Sequence, residues 1–187
     1  MRLMRALSVR IAAPDELECV RTTYAAWGYG GGADSADTIF VAEGAGELLG
    51  LVRLTREQGT TMLRGMQVAP DARRQGVGTR LLETFVAELG GQECYCIPYS
   101  HLVAFYGSQG FELQLPELAP VFLAERLAGY RERGLNVVLM RRPQASSPAA
   151  LPPRQGLDTG EESGKGVSGS GADRRAGDKY REGKKDR

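Results

Sequence analysis

Histidine is nearly absent from this 187-residue chain, with His101 alone, and no lysine occurs before Lys165. One imidazole and three cysteines (Cys19, Cys94 and Cys96) leave no second Cys/His pair to complete a zinc site, so no metal is expected. Three thiols cannot all pair within one chain. Cys94 and Cys96, one residue apart on a short apolar run, are expected to point to opposite faces of a strand, and all three read as buried thiols of a reducing cytosol. No run approaches the length of a membrane-spanning helix, and the stretch before Asp15 has too few apolar residues for a signal h-region, so the expected location is cytoplasmic. An excess of charge of either sign is also lacking. The 24 Lys+Arg and 23 Asp+Glu give a net charge of +1, which offers neither nucleic acid nor an anionic membrane as a main partner. Up to Arg142 the balance is 15 arginines against 16 acids, so Arg73, Arg74 and Arg80 do not read as a nucleic-acid face.

What is present divides at Arg142. Residues 143–187 hold 8 of the 25 glycines, nine basic and seven acidic residues, and almost no large apolar side chains. Such a segment buries too little apolar surface to offset its ordering entropy, so it is expected to be a disordered mixed-charge tail following one domain, 1–142. The tail also holds every lysine of the chain, Lys165, Lys179, Lys184 and Lys185. An arginine-favouring genome explains that, as does a tether that presents these amines to a site on the same chain.

Within 1–142 strand and helix patterns alternate. Strands are expected at Ser8–Ala12, Thr38–Glu43, Leu48–Thr55, Thr61–Val68, Cys94–Ile97, Phe111–Leu115 and Leu135–Met140. Helices are expected at Pro14–Trp27, Val77–Leu89, Ser100–Gln109 (with Ser100 as its cap) and Pro120–Arg133. The order β-α-β-β-β-α-β-α-β-α-β defines an α/β (α+β) domain with a mixed, mostly antiparallel sheet and helices packed on it.

The sharpest local feature is MQVAPDARRQGVGTRLL, Met66 to Leu82. A strand ends at Val68, and Gly76 and Gly78 open a long helix behind Arg73 and Arg74. Glycines let backbone N–H groups turn toward an anion, and a helix N-terminus adds unsatisfied donors and partial positive charge. The pattern reads as a pyrophosphate site. It is not a Walker loop, which needs a lysine, nor a Rossmann fingerprint, because Leu81 stands where the third glycine belongs.

About 30 residues later comes AFYGSQGF, residues 104–111. The two landmarks, in this order and element context, resemble the GNAT superfamily of N-acetyltransferases over residues 8–142. Its Q/R-x-x-G-x-G/A loop is matched by Arg73, Gly76 and Gly78, and its F-Y-x-x-x-G-F segment by Phe105, Tyr106, Gly110 and Phe111. The resemblance implies a sheet splayed between the strand ending at Val68 and the strand at Cys94–Ile97, with helices on both faces. It implies acetyl-CoA as cosubstrate, pantetheine against Met66, Gln67 and Val68, and pyrophosphate on Arg73, Arg74, Gln75, Gly76, Val77, Gly78 and Thr79. It maps the family's acid tyrosine onto Tyr106 and leaves the acceptor, a small-molecule amine or a peptide, unassigned. Oligomeric state is likewise left open.

Attack of an amine on a thioester expels a thiolate, which a positioned phenol can protonate; the other reading of Tyr106 is a half-buried core aromatic. No general base is assigned. Met62 occupies the place where some relatives carry a glutamate, Gln67 cannot usefully hold a proton, and Glu43 and Glu112 read as surface residues. His101 is a weak candidate for proton shuttling. Trp27, Tyr29 and the glycines 28–32 fall where the resemblance places the acceptor pocket, although Trp27 on its helical face reads as core. A second class of function, a non-catalytic acyl-CoA-binding or regulatory module on the same fold, is favoured by the missing glutamate and opposed by Tyr106.

Overall fold

The computed structural model describes residues 7–145. Most of the segment read as a tail, with all four lysines, lies outside the described residues. The elements are β1 (Ser8–Ile11), α1 (Leu17–Ala26), β2 (Thr38–Gly44), β3 (Glu47–Glu57), β4 (Thr60–Val68), α2 (Val77–Leu89), β5 (Cys94–Cys96), α3 (Val103–Gly107), β6 (Glu112–Leu113), α4 (Val121–Glu132) and β7 (Met140–Arg142). They form one seven-stranded sheet in the order β1-β2-β3-β4-β5-β7-β6. Every neighbouring pair is antiparallel except β4 with β5, whose parallel pairing requires the crossover that α2 supplies.

Strand alternation puts helices on both faces. One face carries Phe40, Ala42, Val52, Leu63, Cys94, Cys96 and Met140 against α2 and α3. The other packs Ile39, Val41 and Leu51 on α1, and Met62, Tyr95 and Leu139 on α4. The α2 stripe Val77, Leu81, Leu82, Phe85 and Leu89 is buried, contributing roughly 1.5–3 kcal/mol per large side chain. The helix starts after Gly76 and stops at Gly90, both left-handed, at φ 83° and 62°. Gly50 lets it come close, because a Cβ there would meet Leu81 Cδ1 at 2.7 Å and Val77 Cγ1 at 3.0 Å.

Several expectations need correction. Cys94 and Cys96 share a face and Tyr95 takes the other, as residues i and i+2 of any strand must. Cys19 is exposed rather than buried. Ser100 does not cap a helix with its side chain; a 3-10 turn at Ser100–Leu102 begins after Tyr99, and the Ser100 N–H donates to Asn136 O at 2.9 Å. The closing strand is not Leu135–Met140 but Met140–Arg142, with only a single bridge, Tyr99↔Val137, upstream. The Leu135, Val137 and Leu139 side chains pack on α4 instead.

The register of β3 on β4 contains a bulge. Leu51 pairs with Gln67 and Arg53 with Arg64, so Gly65 and Met66 together oppose Val52. Gly65 sits at φ 61°, the left-handed backbone of a bulge's first residue. The extra residue shifts the alternation: Met62 lies on the α4 face, whereas Met66 and Val68 pack on the α2 face.

Candidate active site

The functional geometry begins where β4 and β5 part. They are bridged at one position, Met62↔Tyr95. Beyond it, among the described residues, no strand pairs with β4 on that side from Arg64 to Val68. The opening is a cleft of about 540 Å³. Its β4 wall is Met62 to Gln67, its opposite wall runs from Cys96 to Tyr99, and Gly28, Tyr29 and Gly30 reach in from the end of α1.

Tyr106, on α3, closes the inner side of this cleft. Its residue is 4% exposed, and its ring is wedged edge-on between Phe105 and Phe111 at centroid distances of 5.0 and 6.0 Å. Among the described residues no protein group hydrogen-bonds its hydroxyl. Burial foremost, then Cys96 and Tyr29 nearby, push the phenol well above its ordinary value, so it stays a neutral donor. Burial also pushes the Cys94 thiol up to about 12 and raises Cys96 strongly, so neither is a ready thiolate.

At the C-terminal end of β4 lies the glycine loop. Arg74 and Gly76 are both left-handed, at φ 59° and 83°. The Arg73 guanidinium folds back to donate to Val68 O at 3.2 Å, and Gln75 donates to Asp71 O at 2.6 Å. No side chain caps α2, and its first turn has no acid. The first N–H to close a helical bond is that of Arg80, to Gly76 O at 3.0 Å, which leaves the amides of Val77, Gly78 and Thr79 available. Gly78 faces Phe105 of the tyrosine's segment, where a Cβ would make ordinary contact with Phe105 Cζ at 3.5 Å. An uncapped helix start behind two exposed arginines fits a bound anion.

Of the residues singled out in the sequence, Met66, Gln67 and Tyr106 line the cleft, as does Tyr29. Val68 and residues 73–79 lie beyond it, at the strand end. Trp27 is half-buried, packed between two core clusters. His101 is exposed and stacks on Tyr99 at 5.8 Å. Glu43 is held by Arg10, and Glu112 is exposed on β6; neither lines the cleft. Met62 is 2% exposed, and among the described residues no carboxylate lines the cleft.

Sequence reasoning missed a cluster at the other end of the cleft. Glu57, at the end of β3, accepts from Arg64 Nη1 at 2.6 Å and from Arg126 Nη2 of α4 at 2.5 Å. Burial pushes the Glu57 carboxyl upward, yet the hydrogen bonds from Arg126 and Arg64 outweigh it and hold it below its ordinary value. The signal available in the sequence was spacing: Phe122, Arg126 and Tyr130 stand i, i+4, i+8 on α4 and share a face.

Comparison with known proteins agrees with this geometry. Residues 35–113 match the family model described as an acetyltransferase (GNAT) domain. A search of curated proteins gave no match. Among solved structures, the ribosomal-protein-S18-alanine N-acetyltransferase of Escherichia coli aligns with TM-score 0.55 at 16% identity, over 78% of this chain and 99% of that one. The N-acetylglutamate synthase of Neisseria gonorrhoeae, complexed with coenzyme A and N-acetyl-glutamate, aligns with TM-score 0.54 at 18% identity over 75% of this chain. Only 36% of that synthase is covered. Ard1 of Thermoplasma volcanium aligns with TM-score 0.51 at 18% identity, over 73% and 97% of the two chains. Residues 35–113 are thus similar to a GNAT acetyltransferase domain, and the fold of the described residues is the one these solved acetyltransferases share.

Proposed function

We propose that this chain is an N-acetyltransferase that takes an acetyl group from acetyl-CoA and passes it to an amine. The observation that carries the reading is the course of β4. Its unpaired edge leads from the wall holding Tyr106 to the uncapped start of α2. In this reading, backbone groups of Met66, Gln67 and Val68 pair with the pantetheine amides as an added strand would. The N–H groups from Gly76 to Thr79, with Arg73, Arg74 and Gln75, hold the pyrophosphate. Acetyl-CoA, when bound, supplies an activated acetyl thioester.

Tyr106 donates its proton toward the leaving sulfur. Its raised pKa means that the phenol does not ionise beforehand, and its benefit comes from partial transfer as charge develops. Among the described residues no carboxylate lines the cleft, and the proposal has water take the proton of the acceptor amine. The two guanidiniums favour the neutral amine, because a nearby like charge disfavours the ammonium form.

Tyr106→Phe tests the assignment. The expected result is a fall in turnover of roughly 10²–10⁴-fold, with acetyl-CoA affinity unchanged because the hydroxyl acts on charge present only in the transition state. A loss below about threefold, far under the general-acid range, removes Tyr106 from the mechanism. Acetyl-CoA binding without transfer to any amine, peptide or amino acid points instead to a non-catalytic acyl-CoA-binding module.

A further inference from the structure

The end of the cleft away from the α2 loop has a charge that the transferase reading alone does not explain. Arg64 and Arg126 line it, no acid does among the described residues, and both guanidiniums share the carboxylate of Glu57. Glu57 balances one of the two and leaves a surplus of one positive charge. The arginines remain about a quarter exposed, at 27% and 25% of their side chains. Arg126 is also short of partners: its Nη1 is out of contact with water and hydrogen-bonds nothing among the described residues. Tyr99 and Tyr130, with Ile97, Leu135 and Val137, frame the same space.

We propose that this end of the cleft recognises an acceptor amine that also carries a carboxylate, a free amino acid rather than a polyamine, with Arg126 and Arg64 as the carboxylate's partners. The inference rests on the acetyltransferase reading and narrows its substrate class. Along β4, Arg64 lies on the far side of Met66–Val68 from the start of α2, so the acceptor's carboxylate sits within the cleft and the pyrophosphate beyond its other end. Rotation of the Arg126 guanidinium brings Nη1 onto a carboxylate oxygen while Nη2 keeps Glu57, and a planar fork suits that double engagement. A diamine or polyamine would meet like charge at the same place.

The experiment compares acceptors that differ only in the carboxylate: an amino acid, its carboxamide, and the amine left by its decarboxylation. A polyamine and a short peptide complete the panel. The expected kcat/KM is about 10- to 100-fold higher for the amino acid than for its amide or amine, the range of a hydrogen bond to a charged group. Arg126→Gln should bring that ratio toward one, mainly through KM, while the acetyl-CoA-induced rise in melting temperature persists. Equal turnover of amino acid and amide, preference for the polyamine or the peptide, or a ratio that survives in both Arg126→Gln and Arg64→Gln would overturn the proposal. If Arg126→Gln does not fold, Arg126→Lys and the panel on the parent protein decide. A separate arm needs no turnover: N-acetyl amino acids, added to protein saturated with CoA, should raise the melting temperature, and their amides should not. If that shift occurs without transfer, the subsite stands and the transferase reading fails. If neither shift nor transfer occurs, the proposal fails.

Discussion

Gly65 is the position where the shape of the cleft depends most on one missing atom. At φ 61° the bulge places its α-carbon under Tyr24, whose hydroxyl donates to Gly65 O at 2.8 Å. A Cβ built there would lie 2.7 Å from the Tyr24 hydroxyl, 3.1 Å from its Cζ and 3.2 Å from Arg53 Nε. Neither neighbour is free to leave. Tyr24 is 1% exposed inside the α1 packing, and Arg53 is anchored by Asp37 at 2.6 Å with both side chains under a tenth exposed. Gly65→Ala therefore carries a left-handed alanine, about 1–2 kcal/mol, and an overpacking term of about 1–3 kcal/mol. Reduced freedom of the unfolded chain returns about 0.4–1 kcal/mol. The expected net loss is about 1–4.5 kcal/mol, or a fall in melting temperature of roughly 3–18 °C for a domain of this size. Circular-dichroism melts measure it, and acetyl-CoA titration should show weakened binding because Gly65 lies in the cleft wall. Tyr24→Phe tests the cause. Alone it strands the Gly65 carbonyl, at about 0.5–1.5 kcal/mol. Combined with Gly65→Ala it removes the closest clash, so the double variant should be more stable than the sum of the singles by about 1 kcal/mol or more. A Gly65→Ala variant within about 0.5 kcal/mol of the parent, as for an unconstrained surface change, or strict additivity in the cycle, would refute the reasoning.

Other predictions are simpler to state. Gly76→Asp and Gly76→Asn both tolerate a left-handed backbone, but only the first sets a negative charge at the start of α2, so Asp should weaken acetyl-CoA binding more than Asn in a thermal-shift titration; equal affinities would remove the loop from phosphate binding. Because the Glu57 carboxyl is lowered in the folded state, its contribution is present above the unfolded carboxyl value of about 4.3 and is lost as pH falls through the lower folded value. Glu57→Gln should thus be less stable than the parent at neutral pH in urea melts, with the gap closing below about pH 4; a gap constant with pH would contradict the ion cluster. Deleting residues 146–187 should leave the melting transition and the acetyl-CoA shift intact, and loss of either would show that the domain extends beyond Ala145.

The parts of the fold that were legible in the sequence are those with punctuation. The α2 boundaries fall at Val77 and Leu89 as read, because an apolar stripe at helical spacing is closed by glycines at both ends. The glycine loop that opens α2 and the helix carrying Tyr106 were legible through motif and order, and the structure brings Tyr106 together with Met66 and Gln67 at one cleft. Leu135–Met140 misled because apolar alternation reports burial, and here Leu135, Val137 and Leu139 are buried by α4 rather than by a strand ladder. The bulge was invisible, since a glycine inside TTMLRGMQV looks like any weak point in a strand. Arg64, Arg126 and Glu57 escaped for a different reason: each reads as a solvated charge until β3, β4 and α4, distant along the chain, are brought together.

The single bridge at Met62↔Tyr95 has a mechanical consequence. The two portions of the sheet, β1–β4 and β5–β7, are joined there by side-chain packing far more than by backbone. Whatever fills the gap along β4 serves as a keystone, adding contacts to both portions that neither makes with the other. Occupancy and rigidity are then one quantity: on the transferase reading, the cosubstrate would also complete the sheet, so the empty protein would be the looser one and each turnover would begin and end with a partial loosening of its middle.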